Sequence, residues 1–207
     1  MELFGNSPDQ NLLPCDGTVN YFGPVLGPSE AAQCFQSLLR QIAWRNDEVF
    51  LFGKRIVTAR KVAWYADAPL SYTYSGTTKQ ALGWTPELIA LKGLVEDLTQ
   101  TSYNACLLNL YHDGNEGMSW HSDDEKSVVP NSSIASISLG AEREFRFKHK
   151  SRPLRISIPL ESGSLLVMKD ATQSHWLHAL PKSKKVNEPR INLTFRSMVA
   201  TFPRSTR

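Results

Sequence analysis

The sequence predicts a mainly β chain with flanking helices, an α+β arrangement built on a double-stranded β-helix, the jelly-roll or cupin-like barrel. Two observations carry this. Past Thr101 the apolar residues alternate with polar ones in short runs, and before it two segments repeat apolar residues at helical spacing. Many short strands after two helices suit two packed sheets buttressed by helices, with a generic β-sandwich as the alternative.

Taken in order, residues 1–28 are rich in Gly, Pro, Asn and Asp and read as an irregular lead-in. Ser29 is placed to cap a helix that carries Phe35, Leu38, Leu39 and Ile42 at helical spacing and ends near Trp44. Residues 49–65 read as strands, with a turn at Phe52-Gly53-Lys54. Thr85-Pro86 starts a second helix, because a proline in the first turn sacrifices no hydrogen bond. Its Leu88, Leu91, Leu94, Val95 and Leu98 form one face, to be laid on a sheet. Strands follow at 103–111, 133–139, 143–149, 154–160, 163–168 and 190–198, separated by turn residues such as Asp113-Gly114-Asn115, Pro130-Asn131 and Ser162-Gly163.

With 207 residues and 41% hydrophobic content, the chain suits one domain, 1–207, around a single large core. Its three cysteines, Cys15, Cys34 and Cys106, are odd in number and scattered, which argues against a disulfide scaffold or a cysteine zinc site. No apolar run approaches membrane-spanning length, and residues 1–20 lack the basic-then-apolar order of a signal peptide, so an intracellular protein is expected. The net charge of +3 permits nucleic-acid binding without demanding it. The basic groups cluster at Lys148 to Arg155 and at Lys182, Lys184 and Lys185, which on their own read as solvated loops.

Three segments carry chemistry. In Trp120-His121-Ser122-Asp123, residues two apart on an extended segment face the same way, so His121 and Asp123 can meet one metal ion. A third ligand can come from His175 or His178, and spacing does not choose between them. Two histidines and one carboxylate leave open coordination positions, the pattern of non-haem Fe(II) oxygenases. In Arg190-Ile191-Asn192-Leu193-Thr194-Phe195-Arg196 one face is apolar and the other entirely polar. That polar face reads as water-exposed, or as a seat for a small dicarboxylate such as 2-oxoglutarate, which arginines bind through forked hydrogen bonds. Asn109 and Tyr111 share a face of another strand and can complete such a pocket.

Together, Asn109-Leu110-Tyr111, His121-Ser122-Asp123, Ile134 to Ala141, Trp176 to Pro181 and Arg190 to Arg196 resemble the AlkB family of nucleic-acid demethylases, in family order over about residues 48–198. Phe52-Gly53-Lys54, Arg60-Lys61 and Tyr72-Thr73-Tyr74-Ser75-Gly76 resemble the branch that includes the eukaryotic duplex-DNA repair enzyme. The resemblance implies that His121, Asp123 and His178 hold Fe(II). Arg190, supported by Tyr111 and Asn192, would bind the far carboxylate of 2-oxoglutarate, with Thr194 on the same face and Arg196 and Asn109 at the end near the metal. It implies a jelly-roll core over 101–200 and a nucleotide-recognition lid over 45–85. Asp124 would sense the base, Tyr72, Tyr74 and Trp64 would line its pocket, Phe52 would fill the gap left by a flipped base, and Arg60 would join the substrate residues.

The reaction implied is oxidative demethylation of N1-methyladenine and N3-methylcytosine in DNA, using Fe(II), 2-oxoglutarate and dioxygen. Such bases must leave the stack to be reached, and both carry positive charge that a carboxylate favours. The short turn at Ser151-Arg152-Pro153 and the broken basic run after Pro181 imply that single strands are accepted as well as duplexes. RNA is the rival polymer, and a protein or small-molecule oxygenase the rival function. The expected protein is a monomer with no membrane partner, cytoplasmic if bacterial and nuclear if eukaryotic.

Overall fold

The structure, a computed structural model, describes residues 8–51, 54–67, 71–74 and 77–199. The first half contains β1 (Thr18–Pro24), α1 (Pro28–Gln41), β2 (Arg45–Leu51), β3 (Lys54–Ala66), β4 (Ser71–Tyr74), β5 (Thr77–Gln80) and α2 (Pro86–Thr99). The second contains β6 (Ala105–Tyr111), β7 (Met118–His121), β8 (Ile134–Gly140), β9 (Arg143–His149), β10 (Arg155–Leu160), β11 (Ser164–Lys169), α3 (Thr172–His175), β12 (Trp176–Leu180) and β13 (Arg190–Arg196). Seven strands form a large sheet in the order β1-β11-β8-β13-β6-β3-β2, four form a small sheet in the order β10-β9-β12-β7, and β4 pairs with β5. Neighbouring strands in the two main sheets run antiparallel. The predicted double-sheet jelly roll is therefore the fold.

Each sheet face is committed by the period-two pattern. Leu108, Leu110, Ile137, Leu139, Ile191, Leu193 and Phe195 pack outward against Phe35 and Leu38 of α1 and Leu88, Leu91 and Val95 of α2. A second cluster fills part of the space between the sheets with Tyr21, Ile134, Phe147, Ile158, Leu166 and Trp176. Leu88, Val95, Leu193 and Phe195 are fully enclosed, and each such side chain contributes about 1.5–3 kcal/mol relative to exposure. The helices thus cover one face of the large sheet and leave its other face for the small sheet.

The structure refines several expectations. Helix α1 is capped by Gly27 with Pro28 in the first turn, and Ser29 lies inside it. Thr85 does cap α2, its hydroxyl accepting from Leu88 N at 3.3 Å, but Leu98 is exposed rather than on the buried face. The lead-in is not wholly irregular, because β1 pairs with β11 at the edge of the large sheet. Strands β2 and β3, residues 45–51 and 54–66, also join that sheet, so the barrel draws on strands outside 101–200 and 45–85 is not one separate unit. The predicted turn residues Phe52 and Gly53 lie outside the described residues. Cys15, Cys34 and Cys106 are all free.

Candidate active site

Strand β13 lies near the middle of the large sheet, between β6 and β8. Its apolar side chains supply the helix-facing core, so its alternation turns Arg190, Asn192, Thr194 and Arg196 toward the small sheet. Register brings partners to the same face: Arg190 stands opposite Tyr111, and Asn192 opposite Asn109. The polar face is not water-exposed, since Arg190, Thr194 and Arg196 are buried. All four line a cavity between the sheets.

The small sheet supplies the other wall. β7 and β12 pair His121 with His178, with an irregularity before Met118 meets Leu180. Asp123 follows β7, and its backbone N–H donates to Gln173 Oε1 at 2.9 Å. The ligand-type atoms of His121, Asp123 and His178 lie within 4.8 Å of one another. Nε2 of His121 is 3.7 Å and Nε2 of His178 is 4.0 Å from the same carboxylate oxygen, Asp123 Oδ1. His121 Nδ1 donates to Ser119 O at 2.8 Å, which leaves the Nε2 lone pair free for a metal. His175 stands apart, exposed at the end of α3, with its ring 6.1 Å from that of His149.

Electrostatics favour the ligand forms. Burial works to raise the Asp123 pKa, but Arg196 and the two histidines outweigh it, and the carboxyl is held below its ordinary value. Arg196 Nη2 contacts Asp123 Oδ2 at 2.8 Å, so the other oxygen is the one turned to the histidines. Burial, reinforced by His121, pushes His178 down to about 3, so its imidazole is neutral. Neutral imidazoles beside an ionised carboxylate are what a divalent cation requires.

At the Arg190 end the charge is uncompensated among the described residues. Its guanidinium donates to Ser138 Oγ at 2.8 Å and lies 5.6 Å from the Tyr111 ring, but Nε has no hydrogen-bond partner among the described residues. Burial, with the nearby cation Arg143, lowers its pKa to about 10, and among the described residues no carboxylate pairs with it. Asn192 donates to Ser136 Oγ at 2.7 Å and Ile137 O at 3.1 Å, and Thr194 donates to Asn192 Oδ1 at 3.3 Å. A buried cation lacking an anion beside a fixed polar row fits the far carboxylate of a small dicarboxylate.

The other predicted residues are placed differently. Asp124 is exposed and outside the cavity lining, tied to Ser122 Oγ at 3.0 Å and Lys150 Nζ at 3.6 Å. Trp64 is 4% exposed and packs in the core between the sheets, on the same face of β3 as the cavity-lining Val62 but two residues further along the strand. Arg60 is buried against Asp47 and Asn109 rather than open to a polymer. Tyr72 and Tyr74 fall on β4, whose side chains lie outside the described residues, as does Phe52. His149 leaves the basic cluster: it is buried and contacts Asp16 at 3.1 Å.

Sequence reasoning missed Asp47, Glu125, Phe145 and Ser136 in the cavity lining, and Ser138, Gln173 and Arg143 behind it. Arg143 is buried and donates to the carbonyls of Asp113, Glu116 and Pro181, which holds two loops together near Arg190. Its place as an inward residue at the start of a predicted strand was the available signal. A second ligand-type group, Cys15, Asp16 and His149, does not suit a metal. His149 Nδ1 accepts from the Ser151 and Arg152 backbones, so Nε2 carries the hydrogen and donates to Asp16.

Comparison with known proteins matches this geometry. The profile of the 2OG-Fe(II) oxygenase superfamily matches residues 18–196. The chain is 40% identical over 200 residues to the human DNA oxidative demethylase ALKBH2, covering 91% of this chain and 75% of that protein. It is 39% identical over 179 residues to the bovine alpha-ketoglutarate-dependent dioxygenase alkB homolog 3, covering 82% and 62% respectively. The solved structure of OsALKBH1 superposes with a TM-score of 0.59 at 16% identity, over 86% of this chain and 97% of that one, which supports the fold. The chain therefore belongs to the 2OG-Fe(II) oxygenase superfamily and, within it, to the AlkB family, close to the ALKBH2 branch.

Proposed function

We propose that this chain is a DNA repair dioxygenase that oxidatively demethylates alkylated bases, N1-methyladenine and N3-methylcytosine among them. The observation that carries the reading is one cavity with a His-Asp-His group on one wall and, at the start of β13, a buried arginine with no carboxylate partner among the described residues. Relatives named DNA oxidative demethylases, 38–40% identical, point to methylated DNA as the substrate. Fe(II), with 2-oxoglutarate and dioxygen, supplies the oxidation of the N-methyl group, which leaves as formaldehyde.

The chain's own residues prepare that chemistry. His121 and His178 offer their Nε2 atoms, and Asp123 offers one carboxylate oxygen while Arg196 holds the other. Arg190 is assigned the far carboxylate of 2-oxoglutarate, with Tyr111 against its guanidinium and Asn192 and Thr194 on the same row. Asn109 and Arg196 serve the end nearer the metal. Phe145, with its ring 5.4 Å from that of His178, narrows the wall and limits water there.

Residues 45–85 are assigned to nucleotide recognition, with Tyr72 and Tyr74 against the flipped base, Phe52 as its stand-in within the duplex, and Asp124 at the rim. Single- and double-stranded DNA are both accepted in this reading, and the protein acts as a monomer inside the cell. No helix among the described residues is long and apolar enough to cross a membrane.

The test loads the protein with Fe(II) without air, then adds air, 2-oxoglutarate and an oligonucleotide bearing one N1-methyladenine or N3-methylcytosine. Mass spectrometry follows the methyl group, with His121→Ala and Arg190→Ala alongside. Loss of the methyl group in the wild type alone is the expected result. Succinate formed while the methyl group stays would reject nucleic-acid repair and keep the oxygenase.

A further inference from the structure

The pairing of β2 with β3 is broken at one point. Asn46 faces Lys61 and Glu48 faces Val57, so Asp47 alone stands against Thr58, Ala59 and Arg60. Such a bulge re-aims side chains. Two hydrogen bonds pin it: Asn46 Nδ2 donates to Thr58 O, and Thr58 Oγ1 to Arg60 O, both at 2.9 Å. Through it Asp47 and Arg60 line the cavity, 3% and 7% exposed, although β2 is the edge strand of the large sheet and β3 its neighbour.

Arg60 Nη2 donates to Asp47 Oδ2 at 2.5 Å, and Nη1 donates to Asn109 Oδ1. A guanidinium has no acceptor, so only the oxygen of the Asn109 amide can face it. The NH2 of that amide is thereby turned the other way, and it makes no hydrogen bond to any described residue. Asn109 itself lines the cavity, opposite Asn192 in the sheet register.

We infer that Arg60 is a positioning residue for the cosubstrate: seated by Asp47, it fixes the Asn109 amide with its NH2 directed into the cavity as a donor to a carboxylate. Without Arg60 the amide is free to rotate, and half of its orientations present an oxygen to an anion. Asp47 neutralises a cation that burial otherwise disfavours, which keeps the device in place. The inference rests on the reading that this cavity binds 2-oxoglutarate. It also removes Arg60 from the residues that grip the polymer.

The experiment titrates the anaerobic Fe(II)-loaded protein with 2-oxoglutarate and follows the visible absorption of the iron–2-oxo acid chelate. KM values for 2-oxoglutarate and for the methylated oligonucleotide are measured in parallel. In Arg60→Met the Kd and KM for 2-oxoglutarate rise about tenfold, as expected for one misdirected hydrogen bond, and the oligonucleotide KM stays within twofold. Combining Arg60→Met with Asn109→Ala gives no more loss than Asn109→Ala alone, because the first change acts through the second residue. The paired change Asp47→Asn with Arg60→Gln removes both charges and guards against a folding defect, with the same tenfold effect expected. Unchanged 2-oxoglutarate affinity in these variants, additive losses with Asn109→Ala, or a rise confined to the oligonucleotide KM would overturn the inference alone. A wild-type protein that never forms the band would overturn the functional reading beneath it as well.

Discussion

The two ends of the cavity are built on opposite electrical principles. At the His121 end the Asp123 carboxylate has a cationic partner within the protein, since Arg196 faces it, and the buried His178 beside it stays neutral. At the Arg190 end a buried guanidinium has hydroxyl and aromatic neighbours and no carboxylate among the described residues. The first end is stable as it stands and awaits only a cation. The second is costly as it stands, because a buried ion without a counter-ion carries an unrecovered desolvation penalty. Removing a charge should therefore change stability in opposite directions at the two ends.

The largest effect is expected at the balanced end. Asp123→Ala abolishes iron binding and turnover, and it removes the carboxylate that faces a buried arginine. The metal-free protein should lose about 3–5 kcal/mol in urea unfolding. Arg190→Met sharpens the contrast. The KM for 2-oxoglutarate rises about a hundredfold, yet the protein without cosubstrate unfolds no earlier than the wild type. At a hundred times the wild-type Kd, 2-oxoglutarate should stabilise the iron-loaded wild type by about 2.7 kcal/mol and the variant by only about 0.4 kcal/mol. A variant that is clearly less stable in isolation would mean that the Arg190 charge is compensated after all.

The pH dependence comes next in size. His178 has its folded pKa pushed down to about 3 from an ordinary 6.5. Below 6.5 the unfolded chain takes up a proton that the folded site refuses. Stability from this group is thus full above 6.5 and is lost as pH falls toward 3, at no more than about 1.4 kcal/mol per unit. Unfolding of metal-free protein at pH 7.5 and 5.5 should show the loss, and His178→Gln should flatten it. The smallest effect lies far from both ends: Thr85→Ala removes the cap of α2 and costs about 1 kcal/mol with no change in either KM.

What was legible in the sequence follows strand alternation. Arg190, Asn192, Thr194 and Arg196 could be assigned to one face because Ile191, Leu193 and Phe195 claimed the other, and the same logic gave Asn109 and Tyr111. His178 rather than His175 needed the resemblance, because only the antiparallel pairing of β7 with β12 brings it to His121. Asp47 was invisible for a different reason. It reaches the cavity through an irregular register with residues thirteen positions away, and no local pattern encodes a bulge. Asp124 lies outside the cavity lining because one residue of phase separates it from Asp123, whereas Trp64 shares the face of Val62 and differs only in its place along β3. β1 was missed because Gly, Pro and Asn in the lead-in masked a short edge strand.

Strand β13 serves two masters, with its odd residues sealing the helices to the sheet and its even residues furnishing the pocket, and it is hydrogen-bonded on both sides. A single-residue insertion or deletion inside it would exchange the two sets at once. Four polar groups would enter the oily layer, and three hydrocarbon groups would enter the reaction chamber. Descendants of this sequence can therefore lengthen the turn at 150–153 or the loop at 181–189, but the seven residues of β13 can vary only by substitution, never by length.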